Sequence, residues 1–289
     1  MALRAKPPRQ AKLAKPKIMI FGASGVGKTF TSMDFPSTYL MDAENGASQR
    51  HYLEKLAKSG GGYWGREDGA GEYSEVLKEF KELAQGGHPY KTAILDSHTK
   101  LFNTLIAEET ERLERAKKEI AYGNEKRPAV RASRRMITLF DAVDMNVIIV
   151  CHEKAKWGDN GQEGYTYDGW EKLRFEMNLV LRIVNEGGKR KAIVDKSRFE
   201  QFPEYSKFDW SYDNFADIFG RDVLEGEVKA TQFATDEQIQ EFNRLISIVK
   251  VSDEVAKKWD AVESLSDLTS DALQKRIDYL NNQLTKGNK

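Results

Sequence analysis

Residues 17–29 read KIMIFGASGVGKT, an apolar run followed by a glycine-rich turn that ends in Lys28 and Thr29. Residues 17–21 predict a buried strand, and a short helix is expected to begin near Lys28. Residues 22–29 fit the pattern G-x-x-x-x-G-K-[ST], in which glycines let successive N–H groups turn toward phosphate oxygens. Lys28 can reach the β- and γ-phosphates, and Thr29 can place its hydroxyl on Mg²⁺. This stretch therefore predicts a nucleoside-triphosphate site in an α/β fold.

The composition excludes several classes of protein. The chain has 289 residues with 40% hydrophobic residues, which suits a large packed domain and a smaller one. No apolar run approaches the ~18 residues of a membrane helix, so we expect no membrane association. Cys151 is the only cysteine, which excludes a disulfide scaffold, and the start lacks the apolar segment of a signal peptide. We therefore expect a cytoplasmic protein.

The charge balance limits how the chain could bind nucleic acid. There are 45 Lys and Arg residues against 45 Asp and Glu residues, so the net charge is zero. Any affinity for nucleic acid must then come from local basic patches.

Strands alternate with helices along most of the chain, which predicts a mainly parallel sheet covered on both faces. Two late strands with no helix between them predict an antiparallel extension, and the glycine-rich residues 58–73 are expected to form a loop. The later strands are predicted at residues 38–41, 92–95, 146–151, 179–184 and 191–194, and helices at 73–85, 100–118 and around 136–143.

The sequence divides into three predicted parts. Residues 1–16 form a basic flexible arm, residues 17–225 the core, and residues 226–289 a helical C-terminal domain. Thr235 and Gln238 have the spacing of a capping box, and the apolar residues that follow recur at helical spacing.

Acidic residues that follow predicted strands are candidates for the chemistry of the phosphate site. The apolar strand at 92–95 runs into Asp96, the expected partner of Thr29 in holding Mg²⁺. Ser97 follows it in place of a glutamate, so the carboxylate that activates water has to come from elsewhere. Glu44 is the leading candidate, with Asp42 as the competing choice, because both follow a strand of the same predicted sheet.

Four stretches, in order, resemble the core of RecA-type recombinases: GASGVGKT, LMDAENG, AILDSHT and IIVCHEK. The nearest likeness is to the core-only phage single-strand-annealing ATPases, over roughly residues 17–210. The resemblance implies a RecA-like P-loop ATPase fold, ATP and Mg²⁺ as cofactors, and catalytic roles for Lys28 and Glu44. It also implies that His152, where the recombinases usually have glutamine, senses the γ-phosphate. The nucleotide-binding residues would be Gly22, Ala23, Ser24, Gly25, Val26, Gly27, Lys28, Thr29 and Phe30.

A fifth stretch, IVDKSRFEQFP, resembles the paired basic residues that reach across a subunit interface in that family. The resemblance implies a homo-oligomer, ring or filament, with ATP between subunits and Lys196 and Arg198 at the neighbour's γ-phosphate. Arg198 replaces a second lysine, which changes the geometry of that contact. The family's DNA-binding loops map to residues 120–135 and 153–169. The nucleic-acid contacts would come from Lys126, Arg127, Arg131, Arg134, Arg135, Lys154, Lys156, Trp157 and Tyr165.

The leading hypothesis is an ATP-hydrolysing, single-stranded-DNA-binding recombination protein that promotes annealing or strand pairing. It would be phage-encoded, act in the cytoplasm of the bacterial host, and be stimulated by DNA. The C-terminal domain is a candidate docking site for a single-strand-binding protein.

Two other functions remain open. One is a small-molecule or nucleotide kinase, with residues 126–135 as a lid that closes on phosphates. The other is a nucleotide-gated binding module with little turnover, which a neutral substitution of Glu44 would distinguish from an ATPase.

Overall fold

The structure, a computed structural model, describes residues 13–287 except residues 160 and 261. Within these residues nine strands form a single sheet. The strands are β1 (Lys17–Gly22), β2 (Thr38–Asp42), β3 (Gly62–Gly65), β4 (Thr92–Asp96), β5 (Asn146–Gly158), β6 (Gly161–Asp168), β7 (Leu179–Glu186), β8 (Lys189–Ser197) and β9 (Lys207–Asp209).

The sheet is mainly parallel. Its strand order is β3-β2-β4-β5-β1-β7-β8-β9, with β6 paired to the outer half of β5. The six strands from β3 to β7 in that order run parallel, whereas β8, β9 and β6 are antiparallel to their neighbours. The predicted fold class and its antiparallel extension are confirmed.

Helices cover both faces of the sheet, and each face has its own apolar core. One face packs against α3, α4 and α5, and the other against α1, α2, α7 and α8. The helices of the described residues are α1 (Lys28–Ser32), α2 (Arg50–Lys58), α3 (Tyr73–Gln85), α4 (His98–Arg115), α5 (Arg127–Ala142), α6 (Leu173–Glu176), α7 (Tyr212–Phe219), α8 (Arg221–Glu225), α9 (Asp236–Ile248), α10 (Asp253–Asp260) and α11 (Ser270–Gly287). None of these helices is both long enough and apolar enough to cross a bilayer.

The central strands have continuous apolar runs because both of their faces are buried. Every residue of β4 is buried, as are residues 146–151 of β5. Beyond His152, exposed and half-buried residues alternate along β5, and the strand leaves the core to pair with β6. Residues 153–169 were predicted as a loop, and that prediction is wrong: most of them form a β-hairpin. Tyr167 anchors the hairpin, since its buried ring lies 6.2 Å from the Phe21 ring.

The glycine-rich stretch 58–73 also contains an element that composition did not indicate. It was predicted as a loop, but β3 lies within it and pairs with β2. A Cβ atom on Gly62 would lie 2.4 Å from the Tyr90 hydroxyl, and one on Gly61 would lie 2.6 Å from the Thr38 carbonyl oxygen. These glycines therefore permit close packing of an edge strand. Helix α2, just before this stretch, was not predicted either.

The C-terminal helices α9 to α11 share an apolar cluster of their own. Phe242, Leu245 and Leu273 are among its buried members. The Thr235 hydroxyl accepts a hydrogen bond from the Gln238 backbone amide, and the Gln238 side-chain oxygen accepts one from the Thr235 backbone amide, which confirms the predicted capping box. How the chain divides into domains stays a prediction.

The basic arm, residues 1–16, was predicted to be flexible, and residues 1–12 lie outside the described part of the chain. Lys15 lies within the predicted arm but is buried. Its ammonium group donates to the carbonyl oxygens of Gly226 at 2.5 Å and Glu227 at 3.1 Å. The last part of the predicted arm is therefore packed against the segment that leads to the C-terminal helices.

Candidate nucleotide site

The carboxyl ends of β1, β2 and β4 meet at one edge of the sheet, together with His152 in the middle of β5. Gly22 is in register with His152, and Asp42 with Asp96. Chains that leave parallel strands at this edge place their first residues around a common crevice. A cavity of about 440 Å³ lies there. Its lining residues are Gly22, Ser24, Gly25, Gly27, Lys28, Thr29, Glu44, Gly46, Tyr52, Asp96, His152 and Glu153.

The glycine-rich turn has the conformation that its sequence predicts. Gly25 and Gly27 have φ angles of +75° and +91°, which favour glycine. A Cβ atom on Gly25 would meet nothing within 4 Å, so its backbone faces open space where a ligand can approach. Lys28 Nζ donates to the carbonyl oxygens of Gly22 at 2.8 Å and Ala23 at 3.0 Å. Burial lowers the pKa of Lys28, while the Asp96 and Glu44 carboxylates oppose that shift.

Three of the predicted nucleotide-binding residues lie outside this cavity. Ala23 and Val26 line an adjoining pocket on the other side of the turn. Phe30 packs against Tyr52, with 5.3 Å between the ring centroids, and Lys55 Nζ lies 3.8 Å from the Phe30 ring centroid. In this arrangement Tyr52, rather than Phe30, faces the cavity.

Thr29 and Asp96, the two predicted metal ligands, are in direct contact. The Thr29 hydroxyl donates to Asp96 Oδ2. A hydroxyl and a carboxylate at the phosphate end of a cavity are oxygen donors that suit Mg²⁺, so the residues present fit this ion. Burial raises the pKa of Asp96 to about 7, and the Glu44 and Asp42 carboxylates add to the shift. Bound Mg²⁺ would favour the ionised form of Asp96.

The structure distinguishes Glu44 from Asp42. Asp42 is fully buried, and its carboxylate accepts hydrogen bonds from the Ala47 amide at 2.8 Å and the Tyr63 hydroxyl at 3.1 Å. It also accepts from the amides of Glu44 and Gly46, each at 3.2 Å. Asp42 therefore holds the turn after β2, whereas Glu44 points into the cavity.

Two side chains orient Glu44. The Ser97 hydroxyl donates to Glu44 Oε1, and His152 Nε2 lies 2.6 Å from the same oxygen. Ser97 also accepts a hydrogen bond from the Lys100 amide at the start of α4. The sequence suggested only that Ser97 could not replace a glutamate. Its position at the end of β4 makes it the residue that holds one.

His152 connects the cavity to the β5–β6 hairpin. Its backbone amide donates to the Thr99 hydroxyl at 2.9 Å, and Thr99 donates to the carbonyl oxygen of Asp168. His152 is paired with Asp168 in the ladder between β5 and β6. A change at Glu44 can therefore reach the base of the hairpin through His152.

Lys196 and Arg198 lie where the parallel strands begin, whereas the phosphate turn lies where they end. Lys196 pairs with Val180, and Ser197 with Leu179, near the start of the parallel strands. Lys196 donates to the Met177 carbonyl oxygen, and burial together with the Arg198 and Arg174 charges lowers its pKa to about 8. These two residues do not line the cavity of their own chain.

The first predicted DNA-binding loop is largely a helix. Residues 127–135 belong to α5, so their prediction as a loop is wrong. Arg131 and Arg134 pair with Glu263, at 2.9 and 3.4 Å, and Arg135 forms a two-point contact with the buried Asp267. Acidic residues of the C-terminal region thus engage three of the five cations predicted to follow a phosphate backbone. The same pairing removes support for a kinase lid at this segment.

The remaining predicted nucleic-acid contacts lie close to one another. Lys126 and Lys154 line a shared cavity of about 350 Å³ between α4, α5 and the end of β6, and Arg127 is exposed at the start of α5. On the hairpin, Trp157 is 71% exposed, and Lys156 lies 4.0 Å from Glu163. The two predicted DNA-binding segments therefore lie side by side, with Lys126 of the first next to Lys154 of the hairpin.

Sequence patterns did not indicate three charged residues that lie near the phosphate turn. Arg190 donates to the Val26 carbonyl oxygen at 2.9 Å, and a Cβ atom on Gly27 would lie 2.4 Å from its Nε atom. Glu153 lines the cavity and pairs with Arg182 at 2.6 Å. The available signal was topological: an antiparallel β7–β8 pair beside β1 brings the start of β8 to the phosphate edge.

Comparisons with known proteins identify the family of the core. No curated protein matches the sequence. Among solved structures, the RadB recombinase is similar at 17% identity and a TM-score of 0.40, over 66% of this chain and 84% of that one. The flagellar accessory protein FlaH from Methanocaldococcus jannaschii is similar at 13% identity and a TM-score of 0.37, over 68% and 84%. A family described as AAA domain matches residues 14–198, well over half of the chain. The chain therefore belongs to the AAA-domain family, whose members are P-loop ATPases.

Proposed function

We propose that the chain binds and hydrolyses ATP at the carboxyl edge of its sheet and uses that cycle in DNA recombination. In this proposal it binds single-stranded DNA and promotes annealing or strand pairing, as the resemblance to phage-encoded annealing ATPases implies. One observation carries the proposal. Lys28, the Thr29–Asp96 pair and the Glu44–His152 pair all converge on one cavity.

Different residues of this cavity can bind the phosphates, hold the metal ion and activate the attacking water. The backbone N–H groups of the glycine turn and the Lys28 ammonium group bind and orient the phosphates. Thr29 and Asp96 would hold Mg²⁺, which neutralises phosphate charge when bound. Glu44 orients a water molecule and takes its proton, while Ser97 and His152 fix the carboxylate. His152 also adjusts to the presence of the γ-phosphate and passes that change to the hairpin.

A homo-oligomer would complete the site. Because Lys196 and Arg198 lie at the opposite edge of the sheet, they can reach a nucleotide only in a neighbouring subunit packed head to tail. Two cations at that position would stabilise the charge that develops on the transferred phosphoryl group. We expect an isolated monomer to hydrolyse ATP slowly.

Single-stranded DNA would lie along the hairpin and the start of α5. Lys126 and Lys154 share one cavity there, and the exposed Trp157 ring offers a surface on which a base can stack. This surface begins at His152, so DNA and nucleotide would influence each other through β5. The helices α9 to α11 would serve as the docking site for a single-strand-binding protein.

The direct test is ATP turnover measured with and without single-stranded DNA. We expect turnover to rise with single-stranded DNA, to respond less to duplex DNA, and to be abolished in Lys28→Ala. Turnover that does not change over a wide range of DNA concentrations contradicts the DNA-coupled part of the proposal. Phosphoryl transfer to a nucleoside monophosphate without any DNA effect would favour a kinase instead.

A further inference from the structure

An ion pair between Glu153 and Arg182 lies beside the phosphate turn. Glu153 directly follows His152 on β5, and Arg182 lies on β7. Both strands flank β1, and Arg182 is in register with Phe21, the residue before the turn. Arg182 Nε lies 2.6 Å from Glu153 Oε1, with the two side chains only 26% and 10% exposed. The pair therefore lies at the end of β1, largely out of solvent.

Glu153 and Arg182 border the space where phosphates are expected. Glu153 lines the nucleotide cavity together with Lys28. It also lines the adjoining pocket of about 340 Å³, where Arg182 lies next to Ser24 and Gly25 of the turn. The carboxylate that pairs with Arg182 thus belongs to both the nucleotide cavity and the adjoining pocket.

The charges of the nucleotide cavity are unbalanced without this arginine. Of the described side chains that line it, Lys28 is the single ammonium or guanidinium group, against the three carboxyl groups of Glu44, Asp96 and Glu153. A Mg²⁺–triphosphate adds further negative charge, and like charges repel strongly where water is scarce. A guanidinium group is well suited to this place, because its planar fork matches either a carboxylate or a phosphate.

A second contact connects Arg182 to the hairpin. Its guanidinium carbon lies 4.3 Å from the centre of the Tyr165 ring on β6, in a cation–π contact. Tyr165 is 47% exposed and belongs to the surface proposed to bind DNA. Arg182 is therefore held by one residue of the cavity and one residue of the hairpin.

We propose that Arg182 contacts the phosphates of bound ATP, leaving Glu153 to do so and loosening its contact with Tyr165. Arg182 then supplies, within one subunit, a second cation for the triphosphate, and it reports occupancy of the site to the hairpin. This inference rests on the proposed function, since it assumes that ATP binds at the turn.

Equilibrium binding of a slowly hydrolysed ATP analogue with Mg²⁺ tests the inference in the full chain. A hydrogen bond to a charged group is worth about 1.5–3 kcal/mol, so Arg182→Gln should raise the dissociation constant about 10- to 100-fold. Glu153→Gln keeps Arg182 and removes the carboxylate that competes with phosphate for it, so this variant should have a lower dissociation constant. Tyr165→Leu should lower it about two- to fivefold, the range expected for an exposed cation–π contact. Glu186→Gln breaks a more exposed ion pair with Lys207 at the carboxyl end of β7, where Glu186 lines neither the nucleotide cavity nor the adjoining pocket, and should have no effect.

The double variant Glu153→Gln/Arg182→Gln decides between two roles of the arginine. If Arg182 contacts phosphate, the double variant binds the analogue at least about tenfold more weakly than Glu153→Gln alone, since a tenfold change corresponds to one lost contact of this kind. If Arg182 only neutralises Glu153, the double variant recovers wild-type affinity and the inference is overturned. A wild-type chain that fails to bind the analogue would instead overturn the proposed function itself. An unchanged affinity in Tyr165→Leu would overturn the link to the hairpin.

Discussion

The carboxyl edge of the sheet and the basic face of α5 hold their charged groups in different ways. At the sheet edge, the register of β1, β2, β4 and β5 sets the positions of Lys28, Glu44 and Asp96. On α5, Arg131 and Arg135 are oriented by acidic residues more than 100 positions later in the chain. Charged residues at strand ends are therefore placed by local sequence, whereas charges on a helix face depend on what packs against that face.

The largest effect should come from a neutral substitution at the sheet edge. Glu44→Gln keeps the hydrogen bond from Ser97 but cannot take a proton from water. We expect ATP turnover to fall about 10²- to 10⁴-fold, the range for losing a general base, with ATP binding largely retained. Phosphate release measures turnover, and a fluorescent nucleotide measures binding.

Asp42→Asn is the matched control for this substitution. Asp42 holds the turn after β2 and does not line the cavity. Its replacement should lower the free energy of unfolding more than it lowers turnover per folded molecule. If Glu44→Gln instead leaves turnover within about twofold of wild type, the catalytic assignment is wrong and the nucleotide-gated module gains support.

The contact between α5 and the C-terminal region should show the next largest effect. Arg135→Gln leaves Asp267 buried without a partner, which costs about 3 kcal/mol in comparable pairs. Hydrogen exchange at residues 264–268 should then become about 100-fold faster. Arg131→Gln is the control, because the side chain of Arg131 is 69% exposed and such pairs contribute little. Equal exchange rates in the two variants would contradict a buried ionic contact.

The pH dependence of Mg²⁺ binding tests the buried pair at the sheet edge. The pKa of Asp96 is raised to about 7, so the protonated form gains as the pH falls below that value. Protons then compete with Mg²⁺ for the carboxylate. Between pH 8 and pH 6, Mg²⁺-dependent ATP binding should weaken about tenfold, since one proton competes over this range. Affinity that is independent of pH, measured by calorimetry, would contradict competition between a proton and Mg²⁺ at Asp96 in this range.

The smallest effect concerns the cations that remain on the predicted DNA surface. Lys126→Gln should weaken single-stranded-DNA binding a few-fold and reduce the salt slope by about one. Lys154→Gln should have a smaller effect, because Lys154 already pairs with Asp168 at 3.1 Å. Arg131→Gln should change neither the affinity for DNA nor the salt slope, because Glu263 already pairs with that arginine. Fluorescence anisotropy over a salt series measures both quantities. A loss of affinity in Arg131→Gln as large as in Lys126→Gln would mean that the contact between Arg131 and Glu263 opens when DNA binds.

The sequence was sufficient for the parts of the site that lie at the ends of buried strands. The turn at residues 22–29, Asp96 and Glu44 follow apolar runs whose alignment the parallel sheet enforces. Arg182 and Arg190 could not be found in the same way, because neither lies at the carboxyl end of its strand and neither belongs to a motif. The β5–β6 hairpin was missed because its outward half lacks a continuous apolar face. Glu263 and Asp267 were missed because no local signal links them to α5.

Equilibrium binding of ATP with Mg²⁺ to the wild-type chain and to Lys28→Ala tests most directly whether residues 22–29 hold a triphosphate. We expect saturable binding of one nucleotide per wild-type chain. This binding should be lost in Lys28→Ala, while the thermal unfolding of the variant stays close to that of wild type. Absence of nucleotide binding to the folded wild-type chain, or equal affinity in the two proteins, would contradict the claim that residues 22–29 hold a triphosphate.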